Sequence, residues 1–334
     1  MPSLPPVIAW DYQFAPNAQK SRNYLYATKT PFKVCEQPFF IPRPILRNLG
    51  ITYRRVPVLS IGKDVFPDNA SFIEAMQSLL EQQGKALKTS PADRSFEAWG
   101  YRSFWVALPC VPVDFNNKQL QNDRKDLFPL FGRADYSRLQ TNAASELRSL
   151  IETVENDFLS QGPWIAGQEC GLADIHAMWM LKWAMKTLDM EKQPGLGRDE
   201  WPKFYHWIES IPHHAPELEQ NDKINEQEAR NLLFASEYAV PHVGIDPKDP
   251  LQYKAGDELY VEPTDAEPGQ HPQHGKLVGL NTNKVVIELE NGLRVHFPRI
   301  GYIIHRSADL PVKGVVEKVM DKVGLGQSSS VSAI

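Results

Sequence analysis

The sequence predicts three successive units: an α/β layer, an all-helical layer and a small all-β unit. Three observations carry this. Over residues 1–85, short apolar runs alternate with helical spacings in the order β-α-β-α-β-β-α. Residues 91–235 then keep a helical period almost without a break. After Ala235, Pro, Gly and Asp cluster, and short alternating runs separated by turn residues take over. The expected boundaries are 1–88, 91–236 and 245–310, with a short amphipathic helix and a Ser-rich tail over 311–334. Residues 1–240 are expected to hold a folded two-layer core without the rest.

The elements follow in order. "VIAWDY" reads as a strand, "PNAQKSRNYLYAT" as a helix and "FKVCEQP" as a second strand. "RPILRNLG" is a short helix that Gly50 closes. Val56–Ile61 and Asp64–Phe66 form a hairpin about Gly62, and Asp68-Asn69 cap a helix through Phe72, Met76 and Leu80. "PADRSFEAWGYRSFWVAL" and "YSRLQTNAASELRSLIETVENDFLS" are amphipathic helices. "LADIHAMWMLKWAMKTL" is apolar nearly all round and therefore central. "WPKFYHWIESI" starts a further helix with Pro202 in its first turn. "GKLVGL", "KVVIELENG" and "LRVHFPRIGYIIH" are strands, with Asn291-Gly292 as a hairpin turn, and they suggest a small barrel or curled sheet.

Composition excludes several functions. The 334 residues carry a net charge of −5, so nothing draws the whole chain to nucleic acid or anionic lipid. From Gln252 to Arg306 six basic residues meet seven acidic ones, which argues against nucleic-acid binding by the β-rich unit. The most apolar helix carries Asp174, His176 and Lys182, and is too short and polar to span a bilayer. The three cysteines are dispersed and odd in number, which disfavours a disulfide framework or structural zinc site. "HPQH" at His271–His274 offers two histidines without further ligands, so no metal is expected. "MPSLPPVIAWDY" does not have the basic and long apolar regions of a signal peptide, so the expected location is the cytoplasm.

Pro57 raises the first functional question, because a proline cannot donate to a ladder and is kept out of central strands. With the β-α-β-α-β-β-α order it points to a thioredoxin-like layer with a cis Val56–Pro57 bond, the alternative being a proline at the first residue of an edge strand without a function. Val56 would then offer its N–H and C=O to an extended ligand. Asp68 and Asn69 stand at a helix N-terminus, which suits a carboxylate, while the Asp suits an amine. A ligand head carrying both an α-carboxylate and an α-amine fits that pair.

"FAPNAQKSR", "YRRVPVLSIG" and the "DN" pair, followed by an all-helical region, resemble a cytosolic glutathione transferase. "GPWIAGQECGLADIHAMW" resembles the family's capping segment for the central helix of its second domain, with Gly171 at the cap and Asp174 at the acidic position. The resemblance covers residues 5–215, and the insert "FFIPRPILRNLGITYRR" with the β-rich end is similar to a fungal subgroup. It implies a thioredoxin-like glutathione-binding domain, an all-α transferase domain and an appended barrel-like domain. It also implies glutathione as co-substrate, with Val56 and Pro57 on its cysteinyl backbone and Asp68 and Asn69 on its γ-glutamyl head. The second substrate would be a small apolar electrophile that is conjugated, isomerised or subjected to elimination, as in secondary metabolism or detoxification. A homodimer through the face of both layers is one implication; cover of that face by the appended domain is the other.

The sequence departs from the family where the chemistry belongs. The subgroup pattern reads "FSPYAQKVR", and this chain has Ala15 at the serine position and Asn17 at the tyrosine. A methyl group donates no hydrogen bond to a thiolate. Asn17, Tyr12 or the helix N-terminus remain as donors, and the helix start combined with Asn17 is preferred, because helix starts depress thiol pKa values. Cys35 reads as a buried structural cysteine. Tyr101 and Trp105, four residues apart, share a helix face and suggest an electrophile pocket, with core packing as the alternative. Arg43, Arg54 and Arg55 are carboxylate receivers or solvated surface residues. The Ala15 departure also supports a non-enzymatic reading, in which the chain is a ligand carrier or protein-interaction module.

Overall fold

The computed structural model describes residues 4–113, 117–124, 127–219 and 223–306. The tail expected over 311–334 lies outside them. The first layer runs β1 (Val7–Trp10), α1 (Pro16–Ala27), β2 (Lys33–Val34), α2 (Pro44–Asn48), β3 (Val58–Ile61), β4 (Asp64–Phe66) and α3 (Asn69–Glu81). β1 pairs in parallel with β2 and antiparallel with β3, and β3 pairs antiparallel with β4, which is the expected thioredoxin-like order. Gly62 makes the β3–β4 turn at φ +56°, and a Cβ there would lie 2.3 Å from the Glu237 carbonyl oxygen. Only glycine fits a turn pressed so closely against another backbone.

The helical layer contains α4 (Asp93–Ala107), α5 (Lys118–Arg124), α6 (Tyr136–Thr153), α7 (Leu172–Thr187), α8 (Pro202–Glu209) and α9 (Glu226–Ala235). α7 is buried along nearly its whole length, as its apolar circumference requires. Gly171 caps it without a side chain, and Asp174 does the fastening instead. Asp174 accepts from the N–H groups of Gly171 at 2.8 Å and Ile165 at 2.9 Å, and from Trp207 Nε1 at 2.8 Å. α4 packs on α7 through Gly100, where a Cβ would fall 2.0 Å from the His176 carbonyl oxygen. None of the described helices is long and apolar enough to cross a membrane.

The β-rich end corrects the expectation of a separate barrel. β5 (Glu258–Pro263), β6 (Gln273–Leu280), β7 (Lys284–Glu288), β8 (Arg294–Pro298) and β9 (Tyr302–His305) continue the first sheet. The strand order is β2-β1-β3-β4-β8-β7-β6-β5-β9, and β8 joins β4 in parallel through Asp64↔Arg294 and Val65↔Val295. The join has a polar clasp. Buried Asp64 accepts from His296 Nε2 at 2.7 Å and from the N–H groups of Ala239 and Val240 at 2.7 and 2.9 Å. The His296 ring stacks on Phe66 with centroids 4.8 Å apart.

The reason lies in the first strands. β1 and β3 alternate between two apolar faces. Val7, Ala9, Leu59 and Ile61 pack into the core shared with α1, α3 and the helical layer. Ile8, Trp10, Val58 and Val65 point the other way. A five-residue α2 covers little of that second face. Leu259, Val261, Leu277, Val285, Val295 and Phe297 of the C-terminal strands complete its core. The sheet therefore folds back over α2. Gln273 fastens it there, donating to the Gly50 carbonyl at 2.9 Å and accepting from the Thr52 N–H at 2.9 Å.

Candidate functional site

Of the features expected to form the site, the two helix starts are joined by a hydrogen bond, and the cis proline precedes β3 of the same layer. Ala15 is the N-cap of α1 and gives it no side-chain bond, and Pro16 follows without an N–H. The first donor at that helix start is thus the Asn17 amide, since the Ala18 N–H already donates to the Ala15 carbonyl at 3.1 Å. The Val56–Pro57 bond is cis, as expected, and so is Ile41–Pro42. Among the described residues nothing pairs with the N–H or C=O of Val56. At α3, Asp68 is the N-cap, accepting from the Ala70 N–H at 2.7 Å.

Asn69 ties the two helix starts together. Its Nδ2 donates to the Asn17 carbonyl at 2.9 Å, while its Oδ1 is buried without a partner. A buried acceptor without a donor is an unfavourable state. Asp68 has a second contact that the sequence did not suggest: Tyr302 of β9 donates to its Oδ2 at 3.1 Å. Burial raises the Asp68 carboxyl above its ordinary value, and Lys20 opposes the rise. Burial also keeps the Tyr302 phenol neutral, so that it remains a donor.

Buried Lys20, part-buried Glu97 and buried His176 form a polar group beside this corner. Lys20 Nζ lies 3.2 Å from Glu97 Oε1, and His176 Nδ1 lies 3.8 Å from the same oxygen. Burial, then Lys20, push the imidazole down to about 3, so it is neutral at physiological pH. Burial opposes ionisation of Glu97, but the charge and hydrogen bond of Lys20 outweigh it and hold the carboxyl below its usual range.

Tyr101 and Trp105 share a face of α4, with rings edge-on at 6.2 Å. Tyr101 is 53% exposed, as a pocket wall would be. Phe14, 42% exposed, stands edge-on to Phe39 and Trp183. Asp265, from the segment between β5 and β6, reaches across to both layers. Its carboxylate pairs with Arg55 at 2.8 Å and accepts from Tyr101 Oη at 3.2 Å.

Comparison with known proteins bears on this geometry. A family model described as a domain of unknown function (DUF7962) matches residues 106–217. No curated protein matches the chain. Among solved structures the chain is similar to a GST-like protein from Pseudomonas syringae, at 18% identity and a TM-score of 0.65, over 90% of this chain and 99% of that one. A glutathione S-transferase from Rhodospirillum rubrum superposes over 63% of this chain and 90% of its own, at 18% identity and a TM-score of 0.47. The fold is glutathione-transferase-like. The fit to the Pseudomonas syringae protein carries that statement, and coverage of 90% cannot be reached without the C-terminal strands.

Within this fold, Tyr12 belongs to a neighbouring cluster. Its Oη accepts from Arg124 at 3.3 Å, and its ring lies 5.1 Å from that of Phe39. Burial raises the phenol above its ordinary value, against the pull of Arg124 and Arg43. Among the described residues no side-chain hydrogen bond joins Tyr12 to Asn17, Val56, Asp68 or Asn69. Arg43 and Arg54 are buried rather than solvated. Arg43 donates to the Arg54 carbonyl, and Arg54 to the Asp123 carbonyl. Arg55 of the three pairs with Asp265, which also contacts Tyr101 of the helical layer. Cys35 is buried, and burial pushes its thiol up to about 11, which suits a structural role. Tyr12 also lines a cavity of about 200 Å³ with Asp11, Arg22, Glu36, Glu219 and Lys223. The charges around it are internally paired: Arg22 with Asp11 at 2.6 Å and Glu219 at 2.8 Å, and Lys223 with Glu36 at 2.5 Å.

Lys20, Glu97, His176, Tyr302 and Asp265 were not singled out from the sequence as site residues. They come from four elements and the β5–β6 segment, distant in the chain, and no local motif joins them. Lys20 alone had a signal, one turn beyond Asn17 in "NAQK".

Proposed function

We propose that the cleft binds glutathione, or a γ-glutamyl peptide of the same kind. The observation that carries the reading is the joined pair of helix starts. Asn69 holds Asn17, keeps a buried acceptor vacant, and stands beside Asp68 and near the unpaired backbone of Val56 in a thioredoxin-like layer. The γ-glutamyl head binds at Asp68 and Asn69, the ammonium on the carboxylate and the carboxylate on the α3 start. The cysteinyl backbone pairs with Val56 in β-addition fashion. This places the sulfur toward the start of α1, where the amides and dipole favour a thiolate. The second substrate is a small apolar electrophile held against Tyr101, Trp105 and Phe14.

Ala15 supports a second reading, that of a glutathione-transferase-fold carrier without turnover. Ala15 is 2% exposed and stands where the subgroup pattern has its serine. Ala15→Ser separates the two. A hydrogen bond to the thiolate lowers its pKa, and one unit means roughly a tenfold larger thiolate fraction below the pKa. The enzyme reading expects thiolate absorbance of bound glutathione at lower pH in the variant, with faster conjugation of a chlorinated nitrobenzene at pH 6.5. Turnover absent from both forms, with glutathione bound by both, would select the carrier.

A further inference from the structure

The segment between β5 and β6, residues 264–272, bridges the first layer and the helical layer through Asp265, which contacts Arg55 and Tyr101. It is anchored at both ends. The Thr264 N–H donates to the Gly301 carbonyl at 2.9 Å, and the Pro272 carbonyl accepts from Thr52 Oγ1 at 2.6 Å. Glu262 braces the interior by accepting from the Gly269 N–H at 2.7 Å. Between these anchors the chain is largely exposed, and Asp265 is the residue that reaches inward. One carboxylate oxygen lies 2.8 Å from Arg55, the other 3.2 Å from the Tyr101 hydroxyl, and the Asp265 carbonyl accepts from Arg55 at 3.3 Å.

Arg55 is the residue before Val56. A ligand strand paired with Val56 and headed at Asp68 runs its next residue past Arg55. In a γ-glutamyl tripeptide that residue ends in a carboxylate. The guanidinium that this carboxylate would meet already holds one.

We propose that Asp265 is an internal occupant of the ligand's carboxylate subsite, and that the 264–272 segment is a latch which a carboxylate-ended γ-glutamyl peptide displaces from Arg55. The inference rests on the glutathione reading and adds its regulation: the C-terminal strands set the threshold for entry. The contact is built to be reversible. The side chains of Arg55 and Asp265 keep 27% and 38% of their surface exposed, and half-exposed pairs are weak. Releasing Asp265 also frees Tyr101 Oη, which then faces the electrophile side of the cleft.

The test uses the full chain and Asp265→Asn, which keeps shape and the bond from Tyr101 but loses the charge. Titration calorimetry with glutathione should show roughly fivefold tighter binding by the variant, the upper end for an exposed ion pair. Glutathione esterified at its glycine carboxylate should bind both forms equally, since it does not compete for Arg55. Amide hydrogen exchange over residues 264–272 should quicken in the variant, and in wild type when glutathione is added. Equal glutathione affinity for the two forms overturns the latch and leaves the ligand reading standing. If neither form binds glutathione, the ligand reading fails, and unchanged exchange in Asp265→Asn overturns the latch as well.

Discussion

Ending the chain after Val240 removes β5–β9 and should unfold the first layer. Ile8, Trp10, Leu46, Leu49, Val58 and Val65 are each no more than 2% exposed, and they share one core with Leu259, Val261, Leu277, Val285, Val295 and Phe297. Full burial of such a side chain is worth about 1.5–3 kcal/mol. If half of that burial is lost at six positions, the loss is about 5–9 kcal/mol. A domain has only about 5–15 kcal/mol in total. The cut also removes His296 from buried Asp64, leaving a carboxylate with two backbone donors in place of three partners. The assay is a urea titration followed by circular dichroism, with gel filtration of the same samples. The expected result is aggregated protein, or a transition without a native baseline. A monomeric 1–240 fragment whose midpoint lies within about 0.5 M urea of the full chain would refute the reasoning.

The remaining predictions concern single groups. His176 is neutral in the fold with its pKa lowered to about 3, against 6.5 unfolded, so its contribution is complete above pH 6.5 and lost as pH falls toward 3. At pH 5 the unfolded state gains about 2 kcal/mol from protonating it. His176→Gln should therefore destabilise the protein at pH 7 but show a shallower loss between pH 7 and 5, and parallel curves would contradict the assignment. Ala15→Ser should also raise the melting temperature without ligand, because a serine N-cap contributes about 0.5–2 kcal/mol that alanine does not. A lower melting temperature would mean that the hydroxyl is buried without a partner.

The first layer was legible because its signals are local. Pro57 among apolar residues, the Asp68-Asn69 cap and the helical spacing of "PNAQKSRNYLYAT" each report on neighbours in the chain, and the fold bears each out. The helical layer was legible for the same reason. What failed was the independence of the last unit. The signal was present: "VIAW" and "VLSI" are apolar or small at every position, so both faces of the sheet need cover, and "PILRN" is too short to supply it. Asp64 was a second signal, an acid in a strand of three residues that needed a partner from elsewhere. The site divides the same way. Asn17, Val56, Asp68 and Asn69 were read from local motifs. Tyr302 and Asp265 arrive through the folding back of the sheet, and no local motif ties either residue to the site. Arg43 and Arg54 read as surface charge because their acceptors are mostly backbone carbonyls, which composition cannot show.

Calorimetric titration of glutathione into wild type, Asp68→Ala and Asn17→Ala tests the central claim most directly. Asp68 meets the ligand's ammonium in this account, a charge-assisted contact worth about 1.5–3 kcal/mol, whereas a neutral bond from the Asn17 amide is worth about 0.5–1.5 kcal/mol. The account predicts measurable binding by wild type, a loss of roughly ten- to a hundredfold in Asp68→Ala, and a smaller loss in Asn17→Ala. Binding that is absent from wild type, or that survives Asp68→Ala unchanged, would contradict it.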